Sequence, residues 1–251
     1  MSGRPAEGPS LSEPSLLSTE YSDERRLAAR RRVWNEFLDG PSSDDATLHA
    51  VIEQRPSRVM EVGAGWGELA ARIGESTSAT VIACDLSARM VRLARQRAVA
   101  AFVADAAELP IPDRWADVVV ANAMLYHLAD IDAGLAELAR VLPDEGCLVA
   151  TTFSDDHLRE IWDLLGAPPV VLPFSAENAD ATLHRRFERV EVRTGGGIVT
   201  FPNSSELKAY VSSTILRSDH ANRVPSFDEP FVARSAFAVF IARRPRRDEP
   251  P

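Results

Sequence analysis

The feature that most constrains this chain is a junction. A short strand at residues 58–62 enters Gly63-Ala64-Gly65-Trp66-Gly67, and a helix-forming run through Leu69 and Ile73 leaves it. Strand, glycine turn and helix in that order open a βαβ unit. Glycines supply backbone dihedrals that side chains resist, and they let the main chain approach a ligand closely. The spacing G-x-G-x-G differs from the dinucleotide pattern G-x-G-x-x-G, and Glu61, two positions before Gly63, does not favour a pyrophosphate cradle. Taken alone, the loop marks a site without naming its occupant.

The alternation continues downstream. Residues 79–84 read as a strand, 87–99 as a helix with Met90, Leu93 and Ala94 on one side, and 101–104 as a short strand. In the strand at 115–121, Val118-Val119-Val120 is the continuous apolar run of a strand covered on both faces. Ile131, Leu135, Leu138 and Leu142 share one stripe of a helix at 131–142, and a strand at 147–153 follows the turn Pro143-Asp144-Glu145-Gly146. Such a pattern predicts an α/β fold, a doubly wound, mostly parallel sheet. Two helices, at 22–38 and 45–54, precede it. After Phe153 the pattern loosens to a helix around Leu158, Ile161, Trp162 and Leu165, a strand at 187–192, a box-like cap at Asn203 to Glu206, and a last strand at 235–241. The expected organisation is a disordered leader at 1–18, N-terminal cap helices at 19–56, a main domain at 57–242 with cap insertions near 166–186 and 195–234, and a tail at 243–251.

Composition narrows the function classes. A net charge of −9 over 251 residues argues against a broad nucleic-acid surface. Arg25, Arg26, Arg30, Arg31 and Arg32 therefore read as a solvated helix face. Cys84 and Cys147 lie in apolar runs, as buried thiols of a reducing cytoplasm do, and no cluster has the spacing of metal ligands. The absence of an apolar run of about 18 residues and the Pro5, Glu7, Pro9, Pro14 leader predict a cytoplasmic protein without membrane contact.

Two further carboxylates follow the glycine loop. Asp85, 18 residues after Gly67, ends the second strand, where it can accept both hydroxyls of a ribose. That contact serves a nicotinamide or an adenosyl cofactor. Asp105, at the end of the third strand, can accept the exocyclic amine of adenine, with the Ala106 N–H beside it for a ring nitrogen. The succession Glu61, Asp85, Asp105 favours the adenosyl cofactor.

Residues 57–154 resemble the class I S-adenosylmethionine-dependent methyltransferases, specifically the type 11 methyltransferase domain. The resemblance rests on Glu-Val-Gly-Ala-Gly-Trp-Gly at 61–67, on Asp85-Leu86-Ser87 with Met90, and on Ala104-Asp105-Ala106-Ala107-Glu108-Leu109-Pro110. It continues from Asp117 to His127 and through 138–146. It implies a Rossmann-like sheet of seven strands, the last antiparallel, with helical cap elements, and S-adenosyl-L-methionine as cofactor. It also implies that Gly63, Ala64, Gly65 and Gly67 lie under the methionine part, and that Glu61 orders the loop or reaches the cofactor amine through water. Asp85 would hold the ribose, Leu86 and Met90 would flank the adenine, Asp105 and Ala106 would read its edge, and the Asn122 backbone would approach the amino group.

Methyl transfer from a sulfonium mainly requires alignment and exclusion of water. Where the acceptor must lose a proton, Tyr126-His127 is the candidate pair, histidine titrating near neutrality. Related enzymes that methylate exocyclic or amide nitrogen resemble one another in an Asn/Asp-Pro-Pro-aromatic motif, where this chain has Asn122-Ala123-Met124-Leu125. No cysteine follows that strand to attack a cytosine ring. A small-molecule acceptor is the expectation, with Tyr21, Trp34, Trp162, Phe174 and Tyr210 able to wall an aromatic pocket or pack as core. The alternatives are an RNA methyltransferase, supported by the arginines at 25–32, and a catalytically silent cofactor-binding module. Nothing in the sequence sets the oligomeric state; a second subunit completing the cap is one arrangement.

Overall fold

A computed structural model describes residues 29–214 and 216–247. The leader at 1–18, Tyr21, Arg25, Arg26 and the end of the tail, 248–251, lie outside them. The apolar runs form one sheet. Its parallel part comprises β2 (Arg58–Val62), β3 (Thr80–Asp85), β4 (Ala100–Val103), β5 (Val118–Asn122) and β6 (Cys147–Phe153). Two antiparallel strands of 15 residues, β7 (Phe187–Phe201) and β8 (Phe231–Pro245), extend it. With a short strand β1 (Leu38–Asp39) at one edge, the strand order is β1-β7-β8-β6-β5-β2-β3-β4.

The eighth strand, one more than the resemblance implied, is β1 (Leu38–Asp39). The helix read over 22–38 does not run through to Leu38. It passes into a widened π-type turn at Val33–Phe37, Leu38 turns extended, and it pairs with Val199 of β7.

Strand alternation divides the core between two faces, since successive side chains point to opposite sides. On one face Met60, Val119, Leu148 and Phe240 meet α4 (Ile131–Val141) and α6 (Ala179–Leu183). On the other Val59, Val118, Val149 and Ile241 meet α1 (Ser43–Glu53) and α2 (Glu68–Ser76). The remaining crossover helix, α3 (Ala88–Gln96), packs with α2 and the outer strands. Helix starts follow their capping residues. Ser42 and Asp45 close a full capping box on α1, and Ser87, Asp130 and Asn203 each accept the backbone N–H of the third residue of α3, α4 and α7 (Ser204–Ser213).

The cap differs from its expected outline. Helix α1, grouped with the cap, packs on the sheet. Phe174, Ala179 and Leu183, within the expected insertion at 166–186, belong to the main core. Residues 195–201 and 231–234 are strand, because Gly195 and Gly197 admit the Phe237 ring and the β1 backbone where a Cβ would collide. What remains is a second small core. Val33, Leu158, Ile161, Val199, Phe201, Leu207, Tyr210 and Val211 join α5 (Arg159–Leu164), α7 and the outer half of the β7–β8 hairpin. No helix among the described residues is long and apolar enough to cross a membrane.

Candidate functional site

In this sheet the winding reverses between β2 and β5. One half proceeds outward through β3 and β4, the other through β6. Loops at the carboxyl ends part there and leave a crevice. A cavity of about 590 Å³ opens at it, within the usual size of small-molecule sites. Glu61, Gly63, Ala64, Gly65, Met90, Asn122, Ala123 and Met124 line one part. Trp34, Phe153, His157, Trp162, Tyr210 and Arg217 line the part under the cap.

The three glycines of the loop all have positive φ, at 68°, 54° and 76°, and answer three separate demands. A Cβ on Gly67 would stand 2.7 Å from Ala94 Cβ, so this glycine lets α2 and α3 pack. On Gly63 it would stand 2.8 Å from Met124 Cβ, so this one closes the loop against the turn after β5. On Gly65 it would meet nothing within 4 Å; that position faces open space. Asp85 braces the loop. Its Oδ2 accepts the Gly65 N–H at 2.8 Å and its Oδ1 accepts the Ser87 N–H at 2.8 Å. Burial pushes its carboxyl up, and these two donors pull it back.

Glu61 points to the same face as Val59, beneath the start of α2. It is 3% exposed, and its Oε2 is buried with no hydrogen-bond partner. Desolvation, with the negative charges of Asp44 and Asp85, raises its pKa well above the ordinary glutamate range, against one backbone N–H from Ala70. Asp44 was not singled out by sequence, because an acid in a first helical turn is ordinary. Here its Oδ1 accepts from Asn122 Nδ2 at 2.7 Å, and burial raises its pKa as well. Asn122 Oδ1 lies 3.2 Å from Thr47 Oγ1, which in turn is 2.6 Å from Thr151 Oγ1. The amino end of α1 is thereby tied across the ends of β5 and β6.

The structure thus gathers Glu61, Gly63, Ala64, Gly65, Met90, Asn122, Tyr126 and His127 at one cavity. Gly67, Asp85, Leu86, Asp105 and Ala106 lie outside its lining: Gly67 is packed against Ala94 of α3, and the others follow β3 and β4, which stand progressively farther from the reversal. Asp85 is one hydrogen bond away. Leu86, just past β3, is 58% exposed, and Val103 at the end of β4 is exposed as well. Asp105 is exposed and accepts the Ala107 N–H at 2.9 Å, while Ala106 is buried in the core. Tyr126 and His127 lie on the 3₁₀ turn Leu125–His127, their rings 4.4 Å apart.

Of the aromatics named as a pocket wall, Trp34, Trp162 and Tyr210 do line the cavity. Phe174 does not; it is fully buried against Phe240, with centroids 6.1 Å apart. His157, Phe153 and Arg217 also line the wall without having been singled out. His157 stacks between Phe153 at 4.3 Å and Trp34 at 5.6 Å, and burial holds its pKa down to about 4. Nothing local marks His157 and Arg217, which come from irregular segments, and Phe153 ends a strand whose apolar residues all read as core.

Residues 60–150 match the methyltransferase domain family. Over 187 residues, 65% of this chain and 67% of the relative, the chain is 34% identical to the malonyl-[acyl-carrier protein] O-methyltransferase of Geobacter sulfurreducens. The chain belongs to the methyltransferase family. It is an S-adenosylmethionine-dependent methyltransferase of class I. The methyltransferase is also 30% identical, over 61% of its length and 67% of the relative's, to the ubiquinone/menaquinone biosynthesis C-methyltransferase of Paraburkholderia xenovorans. The crystal structure of an S-adenosylmethionine-dependent methyltransferase of Thermotoga maritima, described as a possible histamine N-methyltransferase, shares the fold. Its TM-score is 0.56 at 20% identity, over 91% of this chain and 96% of that one. The residues present fit the family's cofactor. An unpartnered buried carboxylate oxygen and a second raised acid suit a cationic group, Gly65 leaves room for it, and the exposed Leu86 offers an apolar surface for a base.

Proposed function

We propose that the chain transfers a methyl group from S-adenosylmethionine to a small organic acceptor held beneath the cap. The observation that carries this reading is the uncompensated acidity of the loop side of the cavity. Glu61 and Asp44 face it, and neither has a cationic partner in hydrogen-bond or salt-bridge contact among the described residues. S-adenosylmethionine supplies an electrophilic methyl on sulfur. The chain's own residues then have to bind, align and keep water out.

In this reading Glu61 and Asp44 attract the cationic end of the cofactor, and Gly63, Ala64 and Gly65 lie along its methionine part. Asn122 presents its backbone to the amino group. Asp85 holds the ribose with the carboxylate that already braces Gly65 and Ser87, Leu86 and Met90 flank the adenine, and Asp105 with Ala106 reads its edge. The body of the acceptor lies against Trp34, Phe153, Trp162 and Tyr210, whose faces suit an apolar or aromatic surface. His127 takes a proton where the acceptor must lose one, with Tyr126 packed beside it. His157, held neutral above about pH 4, serves as wall.

The two relatives named above, for a malonyl carrier and for quinone biosynthesis, support an acceptor other than nucleic acid. So does the use made of the N-terminal arginines: Arg31 pairs with Glu68 at 2.8 Å, and Arg32 with Glu36 and Glu206. Two buried free thiols accord with the cytoplasm.

Calorimetry with S-adenosylmethionine tests the reading. The wild type should bind, and Asp85→Ala should bind roughly 10- to 150-fold more weakly, the equivalent of about 1.5–3 kcal/mol for lost charge-assisted hydrogen bonds. A wild type that does not bind, or an Asp85→Ala chain with unchanged affinity, overturns it.

A further inference from the structure

Most charges around the cavity cancel locally. Arg72 meets Asp45 at 2.5 Å and Arg31 meets Glu68 at 2.8 Å. Arg217 is different. It lies on the cap side of the cavity, 9% exposed, with its guanidinium carbon 4.3 Å above the centroid of the Trp162 ring. One donor is used: Nη2 gives its hydrogen to the Pro168 carbonyl at 2.6 Å. Nε is buried with no partner, and no carboxylate among the described residues pairs with the group.

That arrangement is costly in a folded protein. A guanidinium carries five N–H donors in a planar fork and stays charged. Buried arginines are as a rule matched by an acid or by several acceptors, because desolvating an unpaired charge is unfavourable. Holding the Pro168 carbonyl does not require a guanidinium, since one neutral donor would serve. Stacking on Trp162 fixes the plane of the fork. Its free edge is thereby oriented rather than left to wander. The cavity is polarised as a result, with Glu61 and Asp44, acids that no cation touches, on the loop side and an unpaired cation on the cap side; Arg72 offsets Asp44 only at a distance. Asp155, the remaining acid of the lining, is exposed at the rim.

We propose that Arg217 is the specificity-determining residue for the acceptor, binding an oxyanion that the acceptor carries, a carboxylate or a phosphate, while Trp162 and Tyr210 pack its body. The proposal rests on the cap side of the cavity being the acceptor site. It predicts that neutral molecules of the same shape are discriminated against, since they would leave the cation buried and unpaired.

The test uses the full chain and three probes of one shape: benzoate, phenyl phosphate and benzamide. Calorimetric titration at millimolar concentration should show one of the anions bound at least about tenfold more tightly than benzamide, as expected for a charge-assisted against a neutral contact. The tighter anion identifies which oxyanion the site takes. Arg217→Met and Arg217→Gln should abolish the preference, and Arg217→Lys should retain part of it. S-adenosylmethionine affinity, titrated on the same proteins, should change little. Equal binding of benzamide and both anions by the wild type, no binding of either anion, or a preference that survives in Arg217→Gln overturns the proposal. Should Arg217→Met fail to fold, the Gln and Lys variants, which keep a donor for Pro168, decide it. An Arg217-dependent anion preference in a chain that does not bind S-adenosylmethionine would uphold this site and remove the methyl-transfer reading.

Discussion

Replacing Glu61 by Gln should stabilise the protein while weakening its cofactor site, and the two effects should separate with pH. Glu61 is a carboxylate taken out of water with one oxygen unpartnered and two further acids nearby; only the Ala70 N–H favours its charge. Its folded pKa is raised. The unfolded chain releases this proton at about pH 4.3, whereas the folded chain holds it to higher pH. Across that interval the folded state binds more protons, so stability falls as pH rises through it. Glutamine keeps the shape and an oxygen for the Ala70 N–H but cannot ionise. A buried, unsatisfied polar group costs about 1–3 kcal/mol, more when charged. The variant should therefore gain about 1–3 kcal/mol at pH 8, or roughly 2–12 °C in Tm for a chain of this size.

The assay is thermal unfolding of both proteins from pH 4 to pH 8, without and with S-adenosylmethionine. Without cofactor the advantage of Glu61→Gln should be small at pH 4, where the wild-type carboxyl is protonated, and grow as pH rises. With saturating cofactor the gap should narrow or reverse, since stabilisation by a ligand grows with the logarithm of its affinity and the variant has lost an acid facing the cationic group. A Glu61→Gln chain less stable than wild type at pH 8, or an advantage equal at pH 4 and pH 8, would refute the reasoning. Residues that serve a site are often poorly accommodated in its absence.

Two other predictions concern the loop and the cap. Gly67→Ala should cost about 2–4 kcal/mol, because a left-handed φ costs an L-residue about 1–2 kcal/mol and its Cβ would press on Ala94. Gly65→Ala should cost only the dihedral strain yet weaken S-adenosylmethionine binding, its methyl entering the open space. Urea unfolding and calorimetry on the pair separate the two, and equal stability losses would show that packing against α3 is not what Gly67 provides. His157 has its pKa lowered to about 4 from 6.5. The unfolded chain therefore takes up the proton first, and stability falls as pH drops from 6.5 to 4, by roughly 3–4 kcal/mol at most. His157→Phe, which keeps an aromatic ring beside Phe153 and Trp34, should lose less stability over that range than wild type; identical acid profiles would contradict the burial of His157.

The parallel half of the fold was legible because its central strands are covered on both faces, so that β5 and β6 read as apolar runs, and because the glycine loop marks the end of β2. Arg58–Val62 and Cys147–Phe153 occur over the residues expected. The outer hairpin was not. Most of β7 is incompletely covered, and Gly195-Gly196-Gly197 interrupts its alternation, so a 15-residue strand read as six residues and a break. Those glycines are required by neighbours the sequence does not order in space, the Phe237 ring and the β1 backbone. The site divides in the same way. Glu61 was readable because a local motif places it ahead of the glycine loop. Asp44 and Arg217 were not, because what marks them is the lack of a counter-charge in contact. An aspartate in a first helical turn and an arginine in an irregular segment are unremarkable until every nearby group has been paired and they are left over. Pairing is a tertiary property, since Arg72 finds Asp45 across 27 residues and Arg31 finds Glu68 across 37. Motifs therefore locate the cofactor side of such a site, whereas the acceptor side is read from the charges that folding leaves unmatched.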